Sequence, residues 1–81
     1  MAAVELVEFL VKSIVKEPDM VSVKQFDSEE EILIIQVLVD KDDMGIVIGK
    51  NGNIAKAIRT IVQASAYANG ESRVRIDIDT F

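Results

Sequence analysis

The residues of this chain best suited to binding chemistry are Gly49, Lys50, Asn51 and Gly52, which form a G-x-x-G loop, called the 49–52 loop below. Two glycines three positions apart lack the Cβ atoms that would keep another backbone at a distance. A helix is predicted to begin directly after the loop, and the unpaired N–H groups and positive dipole end of a helix start favour an anion. These residues could therefore hold a phosphate group, with Lys50 supplying a cation.

Further candidate residues flank the loop. Lys56 and Arg59 are predicted on the polar side of the following helix, about one and two turns beyond the loop. Ile48 and Ile54 offer apolar surface on which nucleobases could pack. A bare G-x-x-G pattern is more often a plain glycine corner between helices. Its place in a basic segment, after a predicted central strand and between a short and a long helix, favours the phosphate-binding interpretation.

The charge of the chain is unevenly distributed. The formal net charge is −5, which taken alone argues against nucleic acid as a partner. Residues 44–70, however, contain no Asp or Glu and carry Lys50, Lys56 and Arg59. That segment has a charge of +3, which leaves −8 for the rest of the chain. A local basic site on an acidic body predicts weak, localised contact with phosphate rather than non-specific binding.

Composition narrows the possible classes of protein. A chain of 81 residues with 49% hydrophobic residues predicts one folded domain over 1–81. The absence of Cys excludes disulfides and thiolate metal sites, and the absence of His removes the commonest metal ligand and general base. The aspartates of 40–43 lack the glycine and distal glutamate of an EF-hand loop. No catalytic pair, cofactor site, metal site, signal peptide or membrane span is apparent, so a non-enzymatic, cytoplasmic protein is expected.

The apolar spacing predicts the element order α-β-β-α-α-β, a two-layer α/β sandwich with helices on one face of a three-stranded sheet. The predicted strand 31–39 is apolar on both sides, which is typical of a central strand. Asp43 is predicted to cap the short helix that follows it. The predicted elements are a helix over 3–17 stopped by Pro18, strands over 20–26 and 31–39 joined by 27–30, a turn at 40–43, a helix over 44–48, the 49–52 loop, a helix to about 68, and a strand over 72–79.

The long helix after the loop has apolar residues on more than one side. Its predicted buried face consists of Ile54, Ala57, Ile58, Ile61, Ala64, Ser65 and Ala68. Beside that face, Ala55, Val62 and Ala66 form a smooth shoulder, and Phe9 falls on the polar side of the first helix. Two alternatives remain open for these extra apolar residues: they could accommodate a partner helix, or they could pack within the chain.

The stretch Met-Gly-Ile-Val-Ile-Gly-Lys-Asn-Gly at 44–52, followed by Ile54, Ile58 and Ile61, resembles the KH family along the whole chain. The element order resembles the type II arrangement, and the length resembles small stand-alone bacterial KH proteins. The resemblance implies a G-x-x-G loop that clamps about four nucleotides of single-stranded RNA by their backbone. It implies that Gly49 and Gly52 permit backbone approach, that Lys50 and Asn51 contact phosphate, and that a shallow apolar groove is lined by Ile46, Ile48 and Ile54.

The resemblance also implies partners and a cellular role. It implies a homodimer and a heterodimer with a larger KH-containing RNA-binding protein that is tied to cell elongation, division and cell shape in some bacteria. It also implies a role as post-transcriptional regulator or RNA chaperone. Many KH proteins have two basic residues inside the loop, whereas this chain has Lys50 and Asn51. Fewer cations predict weaker binding, or reliance on a second domain. An RNA-binding module is therefore the first prediction, and a protein-interaction module that acts by dimerisation is the alternative.

Overall fold

In the computed structural model, which describes residues 2–28, 30–71 and 73–81, three strands form one mixed sheet in the order β1-β2-β3. Strand β2 pairs antiparallel with β1 and parallel with β3. Positions 29 and 72, in the predicted connection and at the predicted start of the last strand, lie outside the described residues. The predicted order α-β-β-α-α-β is confirmed, with α1 (Ala3–Lys12), β1 (Ser22–Asp27), β2 (Leu33–Val39), α2 (Met44–Ile48), α3 (Asn53–Ala68) and β3 (Val74–Thr80).

The core lies between the helices and one face of the sheet. Strand β2 is central, as its two apolar faces predict, and its Ile35, Val37 and Val39 side chains are fully buried. On the other face of β2, Ile34 is half-buried and Gln36 is exposed. The core is completed by side chains from the remaining elements, namely Ala3, Val7, Val11, Val47, Ile58, Val62 and Ile76. Within the described part of the chain, no helix has both the length and the apolar character needed to cross a membrane.

Helix α1 ends at Lys12, and the prediction that it continues to residue 17 is wrong. The Ser13 hydroxyl donates to the Phe9 carbonyl oxygen at 2.5 Å, a side-chain bond that competes with the helical ladder. Beyond it, the backbone N–H groups of Lys16 and Glu17 donate to the Asp43 carboxylate at 3.1 and 3.0 Å. These two amides are therefore engaged in a tertiary contact instead of a further helical turn.

Asp43 occupies the N-cap position of α2, but its side chain makes no capping hydrogen bond there, contrary to the prediction. Its side chain is buried, and both carboxylate oxygens accept hydrogen bonds from the segment that follows α1. A buried carboxylate is stable only when such donors satisfy it. Asp43 thus fixes the end of the first helical segment against the start of α2. Among the described residues, no group of acidic side chains converges in the manner of a metal site.

Helix α3 has the predicted length, but its buried face differs from the predicted one. Ile54 and Ile61, both predicted to be buried, are 41% and 49% exposed. Apolar residues cover so much of the helix circumference that periodicity alone fits either of two overlapping faces. The residues that are buried are Ala55, Ile58, Val62 and Ala66.

The shoulder of Ala55, Val62 and Ala66 is therefore part of the core and cannot receive a partner helix. Of the two alternatives for these three residues, packing within the chain is confirmed. The small alanine side chains allow the helix axis to lie close to the sheet. The correction leaves a different set of apolar residues facing solvent on α3, called the apolar stripe below: Ile54, Ala57, Ile61, Ala64 and Ala68.

Candidate nucleic-acid interface

The first glycine of the 49–52 loop is required by a close approach. Gly49 has a φ of +75°, and a Cβ atom at this position would lie 2.8 Å from the Cβ of Ile54 and 3.0 Å from its backbone nitrogen. The first distance is shorter than real Cβ contacts, and the second is tighter than most of them. Only glycine lets the loop fold back against the first turn of α3.

The second half of the loop is left-handed at two successive residues. Asn51 has φ 58° and ψ 23°, and Gly52 has φ 74° and ψ 13°. Asparagine tolerates this region better than most residues, and lysine or arginine does so less readily. The space in front of the Gly52 Cα is open, so that glycine is needed for its conformation alone. Asn51 therefore meets a backbone requirement that a second basic residue would meet less well.

The loop presents positive potential to solvent. Lys50 is exposed at the tip, and Lys56 is exposed on α3. The ion pairs among the described residues join Lys12 to Glu8 and Arg75 to Asp77, so neither loop-side lysine is neutralised by a carboxylate. No described side chain caps the N-terminus of α3. The loop therefore joins an exposed ammonium to a helix start without a side-chain cap, and each of these two features favours an anion.

The remaining predicted residues occupy different environments. Ile46 and Ile48 are half-buried on α2, and Ile54 stands more exposed beside the loop. Arg59 is exposed on the side of α3, and its guanidinium donates a hydrogen bond to the Ile76 carbonyl oxygen of β3 at 3.3 Å. All nine predicted residues thus belong to the 49–52 loop, the helices that adjoin it, and the side of α3 next to β3.

Hydrogen bonds between described residues hold α3 beside the outer edge of β3. In addition to the Arg59 contact, the Gln63 side-chain oxygen accepts a bond from the Val74 N–H at 2.9 Å. Between the helix and the strand lies a cleft of about 800 Å³. Arg73, Arg75 and Tyr67 line it together with Arg59, and sequence reasoning did not assign the first three to any site. The alternation of Arg73 and Arg75 along the last strand indicates only an outward face, and the proximity of these two residues to Tyr67 of α3 depends on a tertiary contact.

The α-β-β-α-α-β fold with a G-x-x-G loop between its last two helices is that of a type II KH domain. The fold is similar to part of Era from Aquifex aeolicus bound to GDP·AlF4−, with a TM-score of 0.70 and 21% identity over 98% of this chain and 30% of that chain. It is also similar to Era in complex with MgGDPNP and nucleotides 1506–1542 of 16S ribosomal RNA. That comparison has a TM-score of 0.64 and 22% identity over 96% of this chain and 29% of that one.

Within that class, residues 4–78 match the model of the KhpA/KhpB KH domain, and the chain belongs to this family. It is 53% identical over 70 residues to the RNA-binding protein KhpA of Clostridium perfringens, and the matched residues cover 86% of this chain and 92% of the relative. It is 40% identical over 75 residues to the RNA-binding protein KhpA of Borreliella burgdorferi, covering 93% and 89%. The predicted membership of the KH family is confirmed.

Proposed function

We propose that this protein binds single-stranded RNA through the 49–52 loop and the adjoining groove, and that it acts as a post-transcriptional regulator or RNA chaperone. The observation that carries the proposal is the loop conformation, in which Gly49 packs on Ile54 while Asn51 and Gly52 are left-handed. Its relatives from Clostridium perfringens and Borreliella burgdorferi are RNA-binding proteins, and one structure of similar fold contains ribosomal RNA. These likenesses support the same function for this chain.

In the proposed mode of binding, a backbone phosphate lies against the loop. Lys50 pairs with it, the Asn51 amide donates to it, and the open space at Gly52 allows the RNA backbone to approach. Lys56 and Arg59 neutralise neighbouring phosphates along α3. Nucleobases pack on the apolar groove lined by Ile46, Ile48 and Ile54, while the acidic remainder of the chain disfavours contact elsewhere.

Salt dependence tests this electrostatic contact. If Lys50, Lys56 and Arg59 each neutralise one phosphate, log affinity should fall with log salt at a slope near −2, since each phosphate on a single strand contributes about 0.7. The measurement is fluorescence anisotropy of a labelled, unstructured RNA of about four nucleotides, titrated at several salt concentrations. An affinity that does not change with salt would rule out the phosphate clamp.

A second candidate function, homodimerisation, is favoured by the apolar stripe. Scattered exposed apolar residues are ordinary, but a continuous stripe that includes Ile54 and Ile61 is typical of helix pairing. Successive residues of a helix are rotated by about 100° around its axis, and this rotation places the apolar stripe and Arg59 on opposite flanks of the buried face of α3. Dimerisation through Ile61 and contacts of Arg59 with RNA can therefore coexist on one helix, whereas Ile54 belongs to both the stripe and the groove. The same stripe suits a heterodimer with a larger KH-containing RNA-binding protein.

Substitution of Ile61 by aspartate tests the dimer. We expect wild type to self-associate at micromolar concentration and Ile61→Asp to weaken this by at least about tenfold, since burial of an Ile side chain contributes about 1.5–3 kcal/mol and a twofold dimer carries the change twice. Sedimentation equilibrium measures the association constant. Met20→Asp is the matched control, because Met20 is similarly exposed but lies outside α3. A wild type that is monomeric at all concentrations would contradict the proposal.

A further inference from the structure

Two Asn-Gly pairs lie at the two ends of α3. The sequence contains three asparagines, of which Asn51 and Asn69 are followed by glycine, whereas Asn53 is followed by isoleucine. Asn51 belongs to the 49–52 loop that leads into α3, and Asn69 is the residue at which the helix ends. Both side chains are exposed. The chain therefore carries the same dipeptide at the positive and at the negative end of one helix dipole.

An Asn-Gly pair can lose its side-chain amide without an enzyme. The backbone nitrogen of the glycine gives up its proton and attacks the asparagine Cγ, the Cγ–Nδ2 bond breaks, and ammonia leaves with that proton. Water then opens the succinimide ring at Cγ to give aspartate, or at the backbone carbonyl carbon to give isoaspartate. Glycine is the favourable second residue, because it has no Cβ to hinder the attack and its backbone rotates freely.

The helix dipole favours this reaction at Asn51 over Asn69. The attacking species at Asn51 is the deprotonated Gly52 nitrogen, which is an anion at the N-cap position of α3. The positive end of the helix and the exposed ammonium of Lys50 both stabilise a negative charge there. At the other end of α3, the Gly70 nitrogen would become an anion beside the carbonyl end of the helix, which disfavours negative charge.

The closed loop must open before the reaction can occur. The Gly52 N–H donates to the Gly49 carbonyl oxygen at 3.1 Å. Asn51 has a ψ of 23°, far from the cyclic geometry in which the Gly52 nitrogen and the Asn51 Cγ share a five-membered ring. Rotation about the Cα–C bond of Asn51 breaks that hydrogen bond, so only the locally opened loop reacts. A ligand that binds the closed loop alone lowers the open population and slows the reaction.

We propose that Asn51 is a site of spontaneous deamidation that switches off RNA binding at the 49–52 loop, and that bound RNA protects it. Conversion to aspartate replaces an amide donor by an anion, beside Lys50, where a phosphate is proposed to lie. Conversion to isoaspartate also adds a carbon to the backbone of a tight loop. The loss of RNA binding rests on the proposed function of the loop, whereas the modification does not. Free protein thus loses its site with time, and RNA-bound protein keeps it.

Incubation of the full chain at mildly alkaline pH and physiological temperature tests the modification. Tryptic peptides 51–56 and 60–73 carry Asn51 and Asn69 separately, and mass spectrometry with fragmentation follows the amide-to-acid conversion at each. We expect Asn51 to convert at least about threefold faster than Asn69, because the two helix ends act on the anion with opposite sign. Asn53, followed by a β-branched residue, should keep its amide. Equal or faster conversion at Asn69, or no conversion of Asn51 in the time that the chain in urea requires, would overturn the assignment.

A second incubation with RNA tests the protection. Unstructured RNA of about four nucleotides, present at about ten times its Kd, should slow the conversion of Asn51 about tenfold and leave that of Asn69 unchanged. In the sample without RNA, anisotropy of withdrawn portions should show binding that falls in step with the remaining Asn51 amide. Asn51→Gly accepts the left-handed backbone but has no amide to lose, so its binding should not change during the incubation. Conversion of Asn51 at the same rate with and without RNA would overturn the protection.

Two variants that mimic the products separate the switch from the proposed function. Asn51→Asp should bind RNA at least about tenfold more weakly than wild type, since an anion replaces a donor to phosphate. Asn69→Asp is the control, because it adds the same charge about 24 Å along α3, beyond the Debye length, and its affinity should stay within about twofold. If fresh wild type does not bind RNA, the proposed function fails, and the conversion rates still decide the modification. If fresh wild type binds and Asn51→Asp binds equally well, only the switch is overturned.

Discussion

Replacing Lys50 and Asn51 together by aspartate will abolish detectable RNA binding and leave the melting temperature almost unchanged. The substitutions remove one cation and add two anions where phosphates are proposed to lie. Each hydrogen bond to a charged group contributes about 1.5–3 kcal/mol, and the loss of that much binding free energy lowers the affinity of a weak site below detection. The fold should tolerate the change, because both residues are exposed and aspartate, like asparagine, tolerates the left-handed backbone of residue 51. Exposed charge changes of this kind usually alter stability by less than about 0.5 kcal/mol.

The test of this loop variant combines circular dichroism, thermal melting and anisotropy with the four-nucleotide RNA. Lys24→Glu/Gln25→Glu is the matched control, because it changes the net charge by the same amount at exposed positions of β1. We expect the control to bind RNA nearly as well as wild type. If the loop variant folds normally and also binds as well as wild type, the 49–52 loop is only a structural corner. Dimerisation would then become the leading proposal for the function.

Asp43→Ala should lower the free energy of unfolding by about 3 kcal/mol or more. The substitution removes the shared acceptor of the Lys16 and Glu17 amides, two part-buried hydrogen bonds, and each hydrogen bond to a charged group contributes about 1.5–3 kcal/mol. For a chain of this length, such a loss is a large part of the total stability. Urea denaturation of wild type and the variant measures the difference.

Two further variants test the cause of that destabilisation. Asp43→Asn keeps one oxygen acceptor and should be intermediate, because the amide nitrogen cannot accept a bond from the second N–H. Asp42→Ala removes an exposed carboxylate from the same turn and should have little effect. Equal stability of Asp43→Ala and Asp42→Ala would show that the buried carboxylate contributes little.

The sequence predicts the elements of this fold well because most of them follow from local patterns. Strand β2 is apolar on both faces, and β3 alternates, so both strands and the central place of β2 are confirmed. The end of α1 could not be predicted, since Ile14 and Val15 continue the helical pattern and the acceptor that ends it, Asp43, lies far along the chain. The prediction of which face of α3 is buried failed for a related reason. Which flank of a broadly apolar helix is buried depends on its neighbours.

The candidate site was predictable to a similar extent. The positions of Gly49 and Gly52 indicate a tight loop, and the structure shows that each glycine is needed there, for different reasons. The left-handed backbone of Asn51 has no clear signal in one sequence, although asparagine is one of the residues that tolerate it. The contact of Arg59 with β3, and the cleft that it helps to line, depend on tertiary packing.

Strand β3 can pair with β2 only after a long segment of chain has been closed into a loop. The β1–β2 hairpin has a short connection, whereas the β2–β3 pairing encloses α2, the 49–52 loop and α3. Closing the larger loop costs more conformational entropy, so we expect the hairpin to form early during folding and β3 to join late. The space between α3 and β3 is then among the last features to form and among the first to open. A ligand that contacts both of its walls would bind the native state alone and protect β3 amides from hydrogen exchange.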